Sequence, residues 1–283
     1  MNPRTKAEFY LLSITFIWGS TFVLSKYLLG YITPLVYIGI RFSIAALLFS
    51  LIFFKQIRTL TKGAAIKGGI LGALLFSGFA AQTIGLQYTT ASKSAFITGM
   101  MVVFTPICQL IIERRPPKIG NIIGVVLVTI GLYLLTSPAG SAFNVGDALN
   151  LLCALTFGLY IVYLDVFSKG LDTAQLTFMQ FVATAALGLV GAGLFEHVSV
   201  QLGAEPVLVL GYLIVFATII ALYIQVRFQK DTTPTRSAII FSIEPVIAAV
   251  FAYLTLGEVL GTLGVIGGGL IVGGLLVSEL SPA

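Results

Sequence analysis

The chain offers little raw material for catalysis. One His, one Trp and two Cys are spread over 283 residues, so histidine-based metal or nucleophile chemistry is not expected. H-E-x-x-H is impossible with His197 alone, and no G-x-x-x-x-G-K-[ST] string is present for direct use of ATP. No catalytic set, metal site or cofactor is therefore expected. What the sequence does offer is a sparse set of polar side chains inside apolar runs, where a charge costs about 2.5–3.5 kcal/mol on insertion scales and needs a reason to be there. Arg41 and Glu244 are the two charges that qualify best. Each lies about 10 Å from its end of an apolar run at 1.5 Å per residue, so a long Arg41 side chain could approach Glu244. Arg41 reads as a counter-charge for a carboxylate or phosphate on a ligand, or as a side chain snorkelling to headgroups. Glu244 reads as a proton carrier, or as a structural hydrogen bond beside Pro245, whose missing amide leaves an acceptor unpaired.

Neutral side chains complete the candidate site. Gln82 and Gln225 each offer a donor and an acceptor to a polar ligand, although helix packing uses such amides too. Trp18, Phe157 and Tyr160 form an aromatic wall suited to flat or apolar ligand parts, and Gln180 is a weaker candidate. Tyr88 and Tyr212 read as interface anchors. Cys108 and Cys153 fall inside apolar stretches, where a thiol behaves as a small hydrophobe.

The elements that hold these residues follow from hydropathy. Hydrophobic residues make up 58% and charged ones 10% of the chain, with mean hydropathy +1.04; soluble domains are roughly a quarter charged. A lipid bilayer is the expected surrounding. The net charge of +5 does not imply nucleic acid, because the basic residues sit in short connections between apolar runs. Segmenting on roughly 17–25 apolar residues per crossing predicts ten spans: Ala7–Leu29, Pro34–Phe54, Ala64–Leu86, Ser94–Ile112, Ile119–Leu135, Ala148–Phe167, Ala174–Phe195, Pro206–Phe228, Ser237–Leu256 and Val259–Val277. Alternate connections hold thirteen Lys and Arg against two, Lys26 and Lys93. Positive residues resist translocation, so a multi-pass protein of the cell inner membrane with both termini cytoplasmic is expected.

The sequence repeats itself. A shift of 143 lays Thr89-Thr90-Ala91-Ser92-Lys93-Ser94-Ala95-Phe96-Ile97 on Thr232-Thr233-Pro234-Thr235-Arg236-Ser237-Ala238-Ile239-Ile240, identical at five of nine positions. The same shift pairs Gln82 with Gln225, Gly124 with Gly267 and Gly131 with Gly274. A shift of 139 pairs Trp18-Gly19 with Phe157-Gly158 and Arg41-Phe42 with Gln180-Phe181. Residues 1–138 and 139–283 thus read as two five-helix copies. Five being odd, the second copy enters the membrane upside down, the inverted plan of many carriers. Pro106 falls one helical turn from the point matching Pro245, which predicts kinks at different heights. Small-xxx-small glycines at 120/124, 257/261, 264/268 and 269/273 predict close packing of spans five and ten, or a homodimer contact.

These features resemble the drug/metabolite transporter superfamily, in its EamA-like ten-helix form. The resemblance rests on Trp18-Gly19, the Thr-x-Ser-Lys-Ser-Ala and Thr-x-Thr-Arg-Ser-Ala openings of spans four and nine, Glu244-Pro245, Gly257-Glu258 and the glycine-spaced fifth and tenth spans. It implies an all-α fold with a central cavity, alternating access, and carriage of a small-molecule substrate such as an amino acid, nucleoside, sugar or drug, with export as the expected direction. Two rival readings are an intramembrane enzyme and a passive channel. The enzyme reading leans on Asn144-Val145-Gly146-Asp147, which resembles the G-x-G-D of membrane aspartyl proteases without its first glycine.

Overall fold

The structure, a computed structural model, describes residues 2–136, 143–201, 203–256 and 261–280. Among these residues the chain is helical with no strand. The elements are α1 (Pro3–Leu28), α2 (Pro34–Ile52), α3 (Lys62–Tyr88), α4 (Ala91–Glu113), α5 (Ile119–Thr136), α6 (Val145–Ser168), α7 (Thr173–Phe195), α8 (Ala204–Asp231), α9 (Pro234–Phe241 continued by Glu244–Leu256) and α10 (Thr262–Leu280). Eight are long and apolar enough to cross a membrane, and the apolar parts of α5 and α10 are shorter, Ile119–Leu134 and Thr262–Ser278. The chain is an all-α polytopic membrane protein. Gly257-Glu258 and the 138/139 boundary lie outside the described residues.

Local chemistry sets the helix starts. Thr90 caps α4 by accepting from Lys93 N at 3.2 Å, and Thr233 caps α9 by accepting from Arg236 N at 3.3 Å; a hydroxyl at this position satisfies one of the orphan amides of the first turn. Asn144 and Asp147 form a reciprocal capping box on α6, Asp147 N to Asn144 Oδ1 at 3.0 Å and Asn144 N to Asp147 Oδ2 at 2.9 Å. Asp147 is thereby occupied in starting a helix.

The two broken helices correct the expected kinks. α4 does not break at Pro106, which sits inside Met101–Glu113. It breaks at Met100, where tight three-residue hydrogen bonds run from Met100 N to Ile97 O (3.1 Å) and from Val103 N to Met100 O (2.9 Å). α9 breaks at Ser242-Ile243, with Ile243 N to Ile240 O (3.2 Å) and Val246 N to Ile243 O (2.9 Å). A shift of 143 maps one break onto the other, so they fall at equivalent positions of the repeat. Pro245 falls in the first turn of its half-helix, where its missing amide costs nothing.

Neighbouring helices follow one pattern: α2 packs on α7, α5 on α10, α4 on α9, α3 on α6 and α7, and α1 on α8, with α4 on α6 and α1 on α9. The α5–α10 contact is close enough to require glycine. A Cβ at Gly124 would stand 2.8 Å from Gly274 O, and one at Gly131 would stand 2.6 Å from Gly267 O. Gly261, Gly269 and Gly273 meet nothing within 4 Å, so the seam uses the repeat-matched glycines rather than the 269/273 spacing.

Candidate functional site

A cavity opens between the helices, lined by aromatic side chains and a few polar groups, the make-up of small-molecule sites. Trp18, Arg41, Gln82, Phe157, Tyr160, Gln225 and Glu244 all line it. Gln180 does not; it is buried behind Tyr160, whose hydroxyl donates to Gln180 Oε1 at 2.7 Å. The walls come from α1, α2, α3, α4, α6, α8 and α9, and pair under the two repeat shifts: Trp18 with Phe157, Thr21 with Tyr160, Phe79 with Leu222, Gln82 with Gln225, Thr98 with Phe241, Met101 with Glu244. Both helix breaks therefore face the cavity, one bringing Thr98 and Met101, the other Phe241 and Glu244. Close approach is bought by glycine: a Cβ at Gly19 would meet Ile247 Cγ2 at 2.5 Å, and one at Gly78 would meet Phe157 Cε1 at 2.2 Å.

Arg41 is 2% exposed, so it does not snorkel. Its Nε donates to Thr218 Oγ1 at 2.6 Å and its Nη1 to Tyr37 Oη at 2.9 Å. The guanidinium stands 5.1 Å from the Phe79 ring centroid and 5.7 Å from that of Phe42, within cation–π range. The expected approach to Glu244 is not made. No ion pair joins the two among the described residues, and they face the cavity as separate charges. Thr218 itself is placed by a π-helical stretch, Leu213–Ile220, in α8; its hydroxyl donates back to Leu213 O, five residues earlier, at 2.8 Å. The same wide turn presents Ala217 O to the Trp18 indole Nε1–H at 3.0 Å. Such π turns recur at functional sites.

The glutamines differ in their partners. Gln82 Nε2 donates to Thr98 Oγ1 at 3.2 Å, across to the α4 break. Gln225 Nε2 donates to Gln229 Oε1 at 2.9 Å, and Gln229 Nε2 to Ile161 O at 2.7 Å. Tyr88 is exposed as an anchor should be, whereas Tyr212 shares a 3.1 Å hydrogen bond with Ser20 Oγ.

Two ion pairs stand beyond the cavity. Lys93 Nζ meets Asp147 Oδ2 at 2.6 Å, and Thr89 Oγ1 donates to Asp147 Oδ1 at 3.1 Å. Arg236 Nη1 meets Glu8 Oε1 at 3.1 Å, and Thr232 Oγ1 donates to the same oxygen at 3.0 Å. The shifts already known relate them: 143 takes Thr89 and Lys93 to Thr232 and Arg236, and 139 takes Glu8 to Asp147. Sequence reading missed Glu8 and took Asp147 only as the acid of the rival enzyme reading, although the 139 shift held the signal. Thr218, Tyr37 and Phe79 were also missed, since span hydroxyls and aromatics are common.

Residues 5–137 and 144–280 match the EamA-like transporter family. An uncharacterized transporter of Archaeoglobus fulgidus is 33% identical over 278 residues, covering 98% of this chain and 87% of the relative. An S-adenosylmethionine/S-adenosylhomocysteine transporter of Chlamydia muridarum is 25% identical over 272 residues, covering 89% of this chain and 85% of the relative. A crystal structure superposes with a TM-score of 0.82 at 17% identity, covering 98% of this chain and 97% of the other, a likeness of fold.

Proposed function

The chain belongs to the EamA-like transporter family, and from that premise we propose that it is a secondary carrier moving a small solute through the central cavity by alternating access. The observation that carries this reading is the cavity itself. It is a mid-depth chamber built of repeat-equivalent residues, with repeat-equivalent ion pairs beyond it on either side. Two inverted copies, 1–138 and 139–283, account for that arrangement. In support, Lys93 opens α4, whereas Gln109 and Glu113 in the last turns of α4 share a second cavity with Arg236. The 23 residues of α4 span roughly 35 Å, so the two matched cations belong to opposite ends. Rocking one copy against the other would break one pair while the other holds.

The substrate class we assign carries a carboxylate for Arg41, a cationic group for Glu244 and a flat ring for Trp18, Phe157 and Phe79. Amino acids, amphiphilic drugs and S-adenosylmethionine or S-adenosylhomocysteine are the natural probes. A cell inner membrane with both termini cytoplasmic agrees with the thirteen-to-two split of basic residues, and export is the direction we assign. Arg4, Arg115, Lys118, Lys169, Lys230 and Arg236 also converge on one cavity, as a single cytoplasmic end requires. Counterflow in proteoliposomes tests the carrier: saturable, trans-stimulated uptake is expected, and flux linear with concentration would point to a pore. Arg41→Ala should reduce transport of carboxylate-bearing solutes by tenfold or more, about 1.4 kcal/mol, with neutral solutes less affected; equal loss on both removes Arg41 from recognition. Glu244→Gln should flatten the pH profile of transport, and an unchanged profile would remove Glu244 from any proton step.

A further inference from the structure

The second cavity contains a pair of carboxylates that the ion pairs above do not use. Glu113 ends α4 and Asp165 lies in the last turn of α6, and both line this cavity as electrostatic neighbours. Asp165 is 3% exposed. Its Oδ2 accepts from Lys169 Nζ at 2.6 Å, and Glu113 Oε2 accepts from Gln109 Nε2 at 3.2 Å. The two remaining oxygens, Asp165 Oδ1 and Glu113 Oε1, are buried with no hydrogen-bond partner.

Two buried acceptors with no donor between them repel when both groups are ionised. A single proton converts the repulsion into a charge-assisted hydrogen bond, which is how close carboxyl pairs resolve the conflict. Among the described residues no third His, Cys, Asp or Glu joins them to complete a metal shell. The other charged groups on the cavity come from every neighbouring element: Arg115 and Lys118 after α4, Lys230 and Asp231 at the end of α8, and Arg4 and Arg236 at the starts of α1 and α9. Arg4 and Arg236 both bond Glu8, and Lys169 bonds Asp165 at Oδ2, leaving Oδ1 unpartnered.

We propose that Glu113 and Asp165 form a proton-binding site, one proton being shared between Oε1 and Oδ1 and exchanged through the second cavity. The site exists at one end only, because the repeat shifts pair Glu113 with Leu256 and Asp165 with Lys26. Its consequence for transport rests on the carrier reading: a proton taken up at one end loads the cycle asymmetrically. Its existence does not rest on that reading, so the test needs no transport.

Infrared difference spectra of the full chain in lipid vesicles, recorded while the pH is raised, should contain a deuterium-sensitive carboxylic-acid C=O band. That band should be lost in both Glu113→Gln and Asp165→Asn, because an amide supplies the donor and the remaining carboxylate ionises. Thermal unfolding identifies any variant that fails to fold, and either variant alone suffices. All variants are compared on a Glu244→Gln background, which removes that carboxyl's contribution; persistence of the band in a folded variant on this background overturns the proposal, as does its absence from Glu244→Gln alone. A band that emerges only when sodium is removed also overturns it, since a metal ion would then hold the pair.

Discussion

At one end of the molecule Asp147 collects Lys93, Thr89 and the amide of Asn144; at the other, Glu8 collects Arg236, Thr232 and Arg4. The frame is shared, yet the chemistry differs in two respects. Lysine is a compact point charge, whereas the arginine fork reaches two groups at once, so that Arg236 bonds Glu8 on α1 and also Ser278 O on α10 at 2.6 Å. Next along α4, Ser94 Oγ donates to Asn150 Oδ1 at 2.6 Å. The matching Ser237 Oγ on α9 is buried without a partner, and the position matching Asn150 is Leu11. The comparison teaches that a duplicated scaffold can keep its ion pairs in register while the bonds beside them diverge. The two ends then need not open with equal ease.

The largest effect is expected from Asp147→Ala, which removes a fully buried carboxylate together with its bonds to Lys93, Thr89 and the amide of Asn144. Loss of one partner of a buried pair costs about 3–5 kcal/mol. A chemical or thermal melt should register it, and a change below about 1 kcal/mol would show that the pair behaves like a surface one. Asn150→Leu makes this end resemble the other. Ser94 Oγ then lacks its acceptor, at a cost of about 1–3 kcal/mol, and a neutral result in the same melt would erase the distinction between the ends. Smallest is Ser237→Ala, which removes the unpartnered hydroxyl of the other end and is expected to change stability by less than about 1 kcal/mol. A larger loss in the same melt would mean that Ser237 does find an acceptor, as Ser94 does.

Much of the fold was legible because apolar runs of crossing length leave few alternatives. Polar residues within those runs were legible for a related reason: each is costly enough to need a purpose, and Arg41, Gln82, Gln225 and Glu244 do face one cavity. Legibility failed where geometry depends on neighbours. The π turn that turns Thr218 toward Arg41 has no sequence signature in Leu213–Ile220, and the α4 break falls at Met100, away from the proline that advertised it. Gln180 was placed in the wall by repeat matching, but Tyr160 stands in front of it. Glu8, Glu113 and Asp165 were passed over because acids near helix ends read as solvated loop charges, whereas here the ends pack into one another.

The seam between α5 and α10 has a consequence for how variants there would be read. Among the described residues these helices contribute no side chain to the central cavity. Their closeness depends on hydrogen standing where other residues carry a methyl group, at Gly124 against Gly274 O and at Gly131 against Gly267 O. A bulkier residue at either position would push apart two helices that never meet the cavity, so a defect in Gly131→Val would report on the scaffold and not on recognition.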